Sequence, residues 1–214
     1  MLQPMLISQN QNQKRLVVLA SGEGTLFEAI AQKCLQGAIS AEVVSLITHK
    51  DEVGAVYKAY GLGLPVVVVN PKDFTHREDW DRQLYHILET LAPDLVVLAG
   101  FTQKLGLMVV RQFYGRIINS HPSLLPQYGG QGMYGRRVHE AVLQGGEKVT
   151  GVTVHWVTPN YDEGPALAQV EVAVEANDSV DSLMERVKTV EREFYPQVIQ
   201  LFFEGQISPL VEAE

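Results

Sequence analysis

A chain of 214 residues with 46% hydrophobic content is long enough to bury a full core, and no apolar run approaches the ~20 residues of a membrane span. A formal net charge of −8 disfavours a nucleic-acid partner, so an anionic ligand has to be caught by local geometry rather than by a basic field. The single cysteine, Cys34, excludes a disulfide framework and a cysteine-type zinc site, and with no secretion-signal pattern at the amino terminus it fits a reducing, cytoplasmic setting.

Met1 to Gln13 is rich in Gln and Asn and reads as a flexible tail. The expected organisation is a single domain over residues 14–205, followed by a short tail over 206–214. Leu16 to Ala20 is a buried-strand run, and Ser21-Gly22-Glu23-Gly24-Thr25 turns it into a helix that reaches Gln36. A glycine turn at a helix amino terminus leaves backbone N–H groups pointing above the sheet, where they suit a phosphate monoester. Phe27 replaces the third glycine of a dinucleotide fingerprint and no Walker lysine follows, so nicotinamide cofactors and nucleoside triphosphates are poor candidates.

Val43 to Thr48 reads as a strand, Val53 to Tyr60 as a helix closed by Gly61, and Pro65 to Val69 as a strand. A long helix is expected from Asp73 or Thr75 to Leu91, then a strand from Leu95 to Ala99 and a helix from Thr102 to Phe113. Strands separated by helices imply right-handed βαβ units and a mostly parallel sheet. Ile117 and Ile118 read as the end of a buried strand that delivers Asn119 and His121 just past its carboxyl end, where open α/β sheets place their chemistry. Residues two apart in an extended segment point the same way, so both side chains can converge on one substrate atom; Pro122 then stops the strand from running directly into a helix.

Gln127 to Arg137 is glycine-rich and reads as a mobile loop, with a short helix from Val138 to Gln144 behind it. Gly151 to Val157 and Leu167 to Val174 alternate as strands on either side of the polar loop Thr158 to Pro165. Strands in direct succession imply an antiparallel extension, giving a Rossmann-like, mostly parallel sheet with helices on both faces and an antiparallel carboxyl-terminal part. Asp178 or Ser179 caps a final helix to about Glu204.

The loops Gly22 to Thr25, Gly100 to Leu105 and Asn119 to Ser123 are therefore expected along one edge of the sheet, with the loop Thr158 to Pro165, which carries Asp162, closing over them. An anion cradle, two hydrogen-bonding side chains and a carboxylate fit transfer of a carbonyl-containing group to or from a small phosphorylated molecule. No activated nucleophile stands out, which favours direct attack by an acceptor amine. His49, His76, His86, His139 and His155 read as surface or core histidines, and Phe101, Trp156 and Phe194 as core aromatics.

Asn119 followed by HPSLLP, SGEGT after the first strand, LAGF at 98–101, VTPNYDEGP at 157–165 and RVKTVEREFYP at 186–196 together resemble the folate-dependent formyltransferase family, in its glycinamide ribonucleotide branch. The resemblance covers about Lys14 to Glu204. It implies transfer of a formyl group from the co-substrate 10-formyltetrahydrofolate to the amino group of glycinamide ribonucleotide in purine biosynthesis, with no metal and no membrane, by a monomer or homodimer.

Carried over residue by residue, the resemblance makes Asn119, His121 and Asp162 the catalytic trio, with Asp162 raising the pKa of His121. It assigns Gly24, Thr25 and Leu26 to the nucleotide phosphate, Glu191 to the ribose hydroxyls with Lys188 one turn before it, and Arg77, Thr102, Gln103, Lys104, Leu105 and Asn119 to the folate side. Two positions depart from the family pattern. Leu26 stands where Asn is usual, leaving only its N–H for the phosphate, and TQKL replaces a Met-Arg-Ile-Leu type of segment. A formyltetrahydrofolate hydrolase would share the trio but normally carries an added amino-terminal domain, and the transfer-RNA formyltransferase an added carboxyl-terminal one. A non-catalytic phosphoribosyl-binding module is the remaining alternative.

Overall fold

The computed structural model describes residues 13–210, so the expected amino-terminal tail, but for Gln13, and residues 211–214 lie outside the described residues. Each apolar run of the first half is a strand with a helix after it: β1 (Lys14–Leu19), α1 (Thr25–Leu35), β2 (Ala41–Thr48), α2 (Gly54–Gly61), β3 (Val66–Val68), α3 (Arg77–Leu91), β4 (Leu95–Leu98), α4 (Leu107–Gln112), β5 (Ile117–His121) and α5 (Arg136–Gln144). Two strands then follow in succession, β6 (Val149–Trp156) and β7 (Ala166–Ala173), before the long α6 (Val180–Phe203). The seven strands form one sheet in the order β3-β2-β1-β4-β5-β6-β7. Pairs among the first five are parallel, whereas β6 runs antiparallel to both β5 and β7.

The alternation of β1 explains the two helical layers. Leu16 and Val18 face one cluster with Phe27 and Ile30 of α1 and Tyr195, Val198 and Ile199 of α6. Val17 and Leu19 face the other, with Trp80, Leu84 and Leu88 of α3 and Val109 of α4. Being buried on both sides is why the run is apolar throughout. The chain builds outward from β1 to β3 and then crosses back to β4, so the carboxyl ends of β1 and β4 flank a topological switch point, where ligands of open α/β sheets bind.

Several expected boundaries move. Thr102 to Phe113 is not one helix: α4 covers only Leu107–Gln112, and the segment before it is a loop. Its polar groups are captured from outside. The Thr102 N–H donates to Ser21 Oγ (2.9 Å) and the Lys104 carbonyl accepts from Arg77 (2.7 Å), while the Asp81 carboxylate accepts the Met108 N–H in the first turn of α4 (2.9 Å). Gly106 permits that last approach, since a Cβ there would lie 2.1 Å from Asp81 Cγ. The long third helix begins at Arg77, later than expected, because a separate 3₁₀ turn at Pro71–Asp73 is capped by Asn70. Past α6, Ile207 and Leu210 pack against the core rather than projecting as a tail.

Candidate active site

The loop after β1 places its backbone as the glycines require. Gly24 adopts a left-handed φ of 71° as the residue before α1, and a Cβ there would come within 2.4 Å of Ala55 Cα. Among the described residues no side chain caps α1, so the N–H groups of its first turn are left for the cleft. Leu26 is 8% exposed and packs with Phe27 and Ile30, so at this position the side chain serves the core and the backbone alone is left for an anion.

β5 runs further than the sequence indicates. Asn119 and His121 lie within it, because β6 continues to pair beyond the point where β4 stops, in the register Asn119↔His155, Ser120↔Val154, His121↔Thr153. Extended geometry still places Asn119 and His121 on one face. Ser120, between them, points the opposite way and donates to Glu191 Oε1 on α6 at 2.6 Å.

His121 is 3% exposed, with Nε2 donating to the Tyr128 carbonyl at 2.8 Å and Nδ1 3.5 Å from Asp162 Oδ2. Both ring nitrogens thus face acceptors. Asp162 itself has a φ of 56°, and its Oδ2 accepts the Gly130 N–H at 2.9 Å. The glycine-rich segment, expected to be a mobile loop, is therefore bonded into the site: Tyr128 holds His121, Gly130 holds Asp162, and the Tyr128 hydroxyl donates to Glu147 at 2.8 Å.

His155 belongs to this cluster, contrary to its reading as a plain core histidine. Its Nδ1 donates to the Trp156 carbonyl at 2.9 Å, which leaves Nε2 bare to accept the Asn119 amide N–H at 3.1 Å. Burial holds its pKa below the usual histidine value and keeps that nitrogen available as an acceptor. Asn119 is thereby fixed with its nitrogen toward His155, and among the described residues its second N–H is uncommitted. His139 on α5 also lines the cleft, and burial, with Lys188 and His121 nearby, pushes its pKa down to about 4. The signal for His155 was its place on the strand that pairs with Asn119, which the alternation alone does not reveal.

The cleft that joins these groups measures about 500 Å³. Gly24, Thr25, Leu26, Lys188 and Glu191 line one part; Thr102, Gln103, Lys104, Leu105 and the loop Thr158 to Asp162 line another; Asn119, His121 and Asp162 lie on the same wall system. Phe101 lines it too, rather than serving only as a core aromatic. Arg77 is not on the cleft surface: its guanidinium holds the Gln103 side chain (3.1 Å) and the Lys104 carbonyl and stacks on Trp80. Among the described residues, no three or more His, Cys, Asp or Glu are grouped to hold a metal, and no helix is long and apolar enough to cross a membrane.

Glu191 carries the most informative titration. Removal from water pushes its carboxyl up to about 7, against the opposing pull of the Ser120 hydroxyl, Lys188 and Arg192. A carboxyl that binds its proton more tightly when folded adds stability below its unfolded value of 4.5, and that stability is lost as pH rises through about 7. Glu191→Gln is expected to abolish this slope and to stabilise the free protein at pH 8 by about 1–3 kcal/mol, read by thermal unfolding across pH. An unchanged slope would show that Glu191 is not held protonated.

A switch-point cleft with an anion cradle at one end and an amide–imidazole–carboxylate cluster at its middle defines a Rossmann-like group-transfer enzyme. The chain belongs to the formyl transferase family, which it matches over residues 14–199. It is similar to phosphoribosylglycinamide formyltransferase of Escherichia coli, at 37% identity over 192 residues, 90% of this chain and 88% of that protein. The chloroplastic enzyme of the same name from Arabidopsis thaliana is 38% identical over 204 residues, 94% of this chain and 69% of that protein. Glycinamide ribonucleotide transformylase 1 from Symbiobacterium toebii shares the fold with a TM-score of 0.87 at 34% identity, covering 95% of this chain and 93% of that one.

Proposed function

We infer that this chain transfers a formyl group from 10-formyltetrahydrofolate to the amino group of glycinamide ribonucleotide, in de novo purine biosynthesis. The observation that carries the reading is the meeting of Asn119, His121 and Asp162 midway along a cleft that has a backbone anion cradle at one end. Residues 14–205 act as one catalytic unit in this reading, in a reducing, cytoplasmic compartment.

The nucleotide phosphate rests on the N–H groups of Gly24, Thr25 and Leu26, with Lys188 and Glu191 taking the charge and the ribose hydroxyls. The folate ring lies along Thr102, Gln103, Lys104 and Leu105, whose main chain Arg77 holds in place. The amine attacks the formyl carbon directly, and negative charge develops on the formyl oxygen. The free N–H of Asn119 and an N–H of His121, released from the Tyr128 carbonyl, receive that oxygen. The amine then loses a proton, the bond from the formyl carbon to the folate nitrogen breaks, and that nitrogen is protonated; His121, facing Asp162, carries protons between them. The proposal uses these side chains and no metal.

The test supplies the co-substrate with an isotopically labelled formyl carbon and follows it by mass spectrometry. Label is expected in the amide of the formylated nucleotide, and recovery of it only as free formate would contradict the reading.

A further inference from the structure

Ser21 stands between the two binding loops. It follows β1, immediately precedes the phosphate loop at Gly22, and accepts the N–H of Thr102, the first residue of the loop on the folate side, at 2.9 Å. The hydroxyl also lies 3.0 Å from Nδ1 of His49, which follows β2, and both residues are buried, at 4% and 6% exposure. A peptide N–H only donates, so Ser21 Oγ is the acceptor toward Thr102; among the described residues His49 Nδ1 is the acceptor within reach of its own proton, and a neutral ring with that nitrogen bare satisfies both groups. That assignment requires a bare Nδ1, with the His49 proton on Nε2. Burial, reinforced by Lys50 and Arg77, lowers the His49 pKa and favours this neutral ring. The His49 ring also meets Phe101 edge-on, with centroids 5.7 Å apart and planes at 80°, and Phe101 lines the cleft.

We propose that Ser21 and His49 are positioning residues for the formyl-folate pocket: His49 sets the direction of the Ser21 hydroxyl, and the hydroxyl fixes the start of the Thr102 to Leu105 loop. The proposal rests on the reading that this loop faces the folate. It gives the loop two outside anchors, from Ser21 and Arg77, while Asp81 holds the first turn of the helix that follows; the Ser21 anchor is the one shared with the loop that cradles the phosphate. The phosphate cradle is made of backbone N–H groups, so loss of the hydroxyl acts on the folate side.

The test measures steady-state kinetics of Ser21→Ala, His49→Ala, the double variant and His49→Asn, with thermal unfolding of each. Ser21→Ala is expected to raise the KM for formyl folate about tenfold, the worth of one buried hydrogen bond, while kcat and the nucleotide KM stay within about twofold. His49→Ala raises the same KM, the double variant is no worse than Ser21→Ala alone, and His49→Asn, which keeps an acceptor, recovers most of the loss. Additive losses from the two single changes, or a rise in both KM values in proportion to lost thermal stability, would overturn the positioning role. A wild-type chain that binds nucleotide but moves no formyl group would overturn the functional reading itself, and the proposal with it.

Discussion

His121→Ala is expected to lower kcat by about a hundred- to ten-thousand-fold, the range over which a positioned acid–base group acts. Nucleotide affinity should stay within about threefold, because the residues proposed for the phosphate and ribose reach the cleft from α1 and α6. His121 also holds the Tyr128 carbonyl, so the variant removes a loop anchor as well as a catalytic group. Calorimetry with glycinamide ribonucleotide separates the two effects. Intact binding with lost turnover assigns the loss to chemistry, whereas turnover near wild type would remove His121 from the mechanism.

Asp162→Ala should also lower kcat by about a hundredfold or more, again with far less effect on nucleotide binding. Its carboxylate has two structural roles to separate. Oδ2 accepts the Gly130 N–H and lies 3.5 Å from His121, while Oδ1 lies 3.6 Å from His155. Asp162→Asn retains an acceptor for Gly130 and removes the charge. If the charge beside the imidazole matters, Asn should resemble Ala in kcat while keeping the thermal stability of the wild type. An Asn variant with normal turnover would reduce Asp162 to a loop anchor.

Much of this site was legible because its chemistry sits at strand ends. The apolar runs of β1, β4 and β5 are buried on both faces, which marks them as parallel strands and places the loops after them together. Pro122 marked the turn after His121. The helix expected from Thr102 begins only at Leu107 because Ser21 and Arg77 capture polar groups of Thr102 and Lys104 from elements distant in sequence, and no local propensity records such competitors. His155 failed for a related reason. Its role follows from standing opposite Asn119 across an antiparallel pair, a register that neither strand states by itself. Leu26 went the other way: an apolar side chain at the loop was expected to leave only its N–H free, and the side chain is buried in the core.

The most direct test of the central claim follows the absorbance change as a stable 10-formyl folate analogue loses its formyl group, with and without glycinamide ribonucleotide. Loss only when the nucleotide is present is the predicted result. Loss at the same rate without nucleotide would make the chain a hydrolase and contradict direct transfer to the amine.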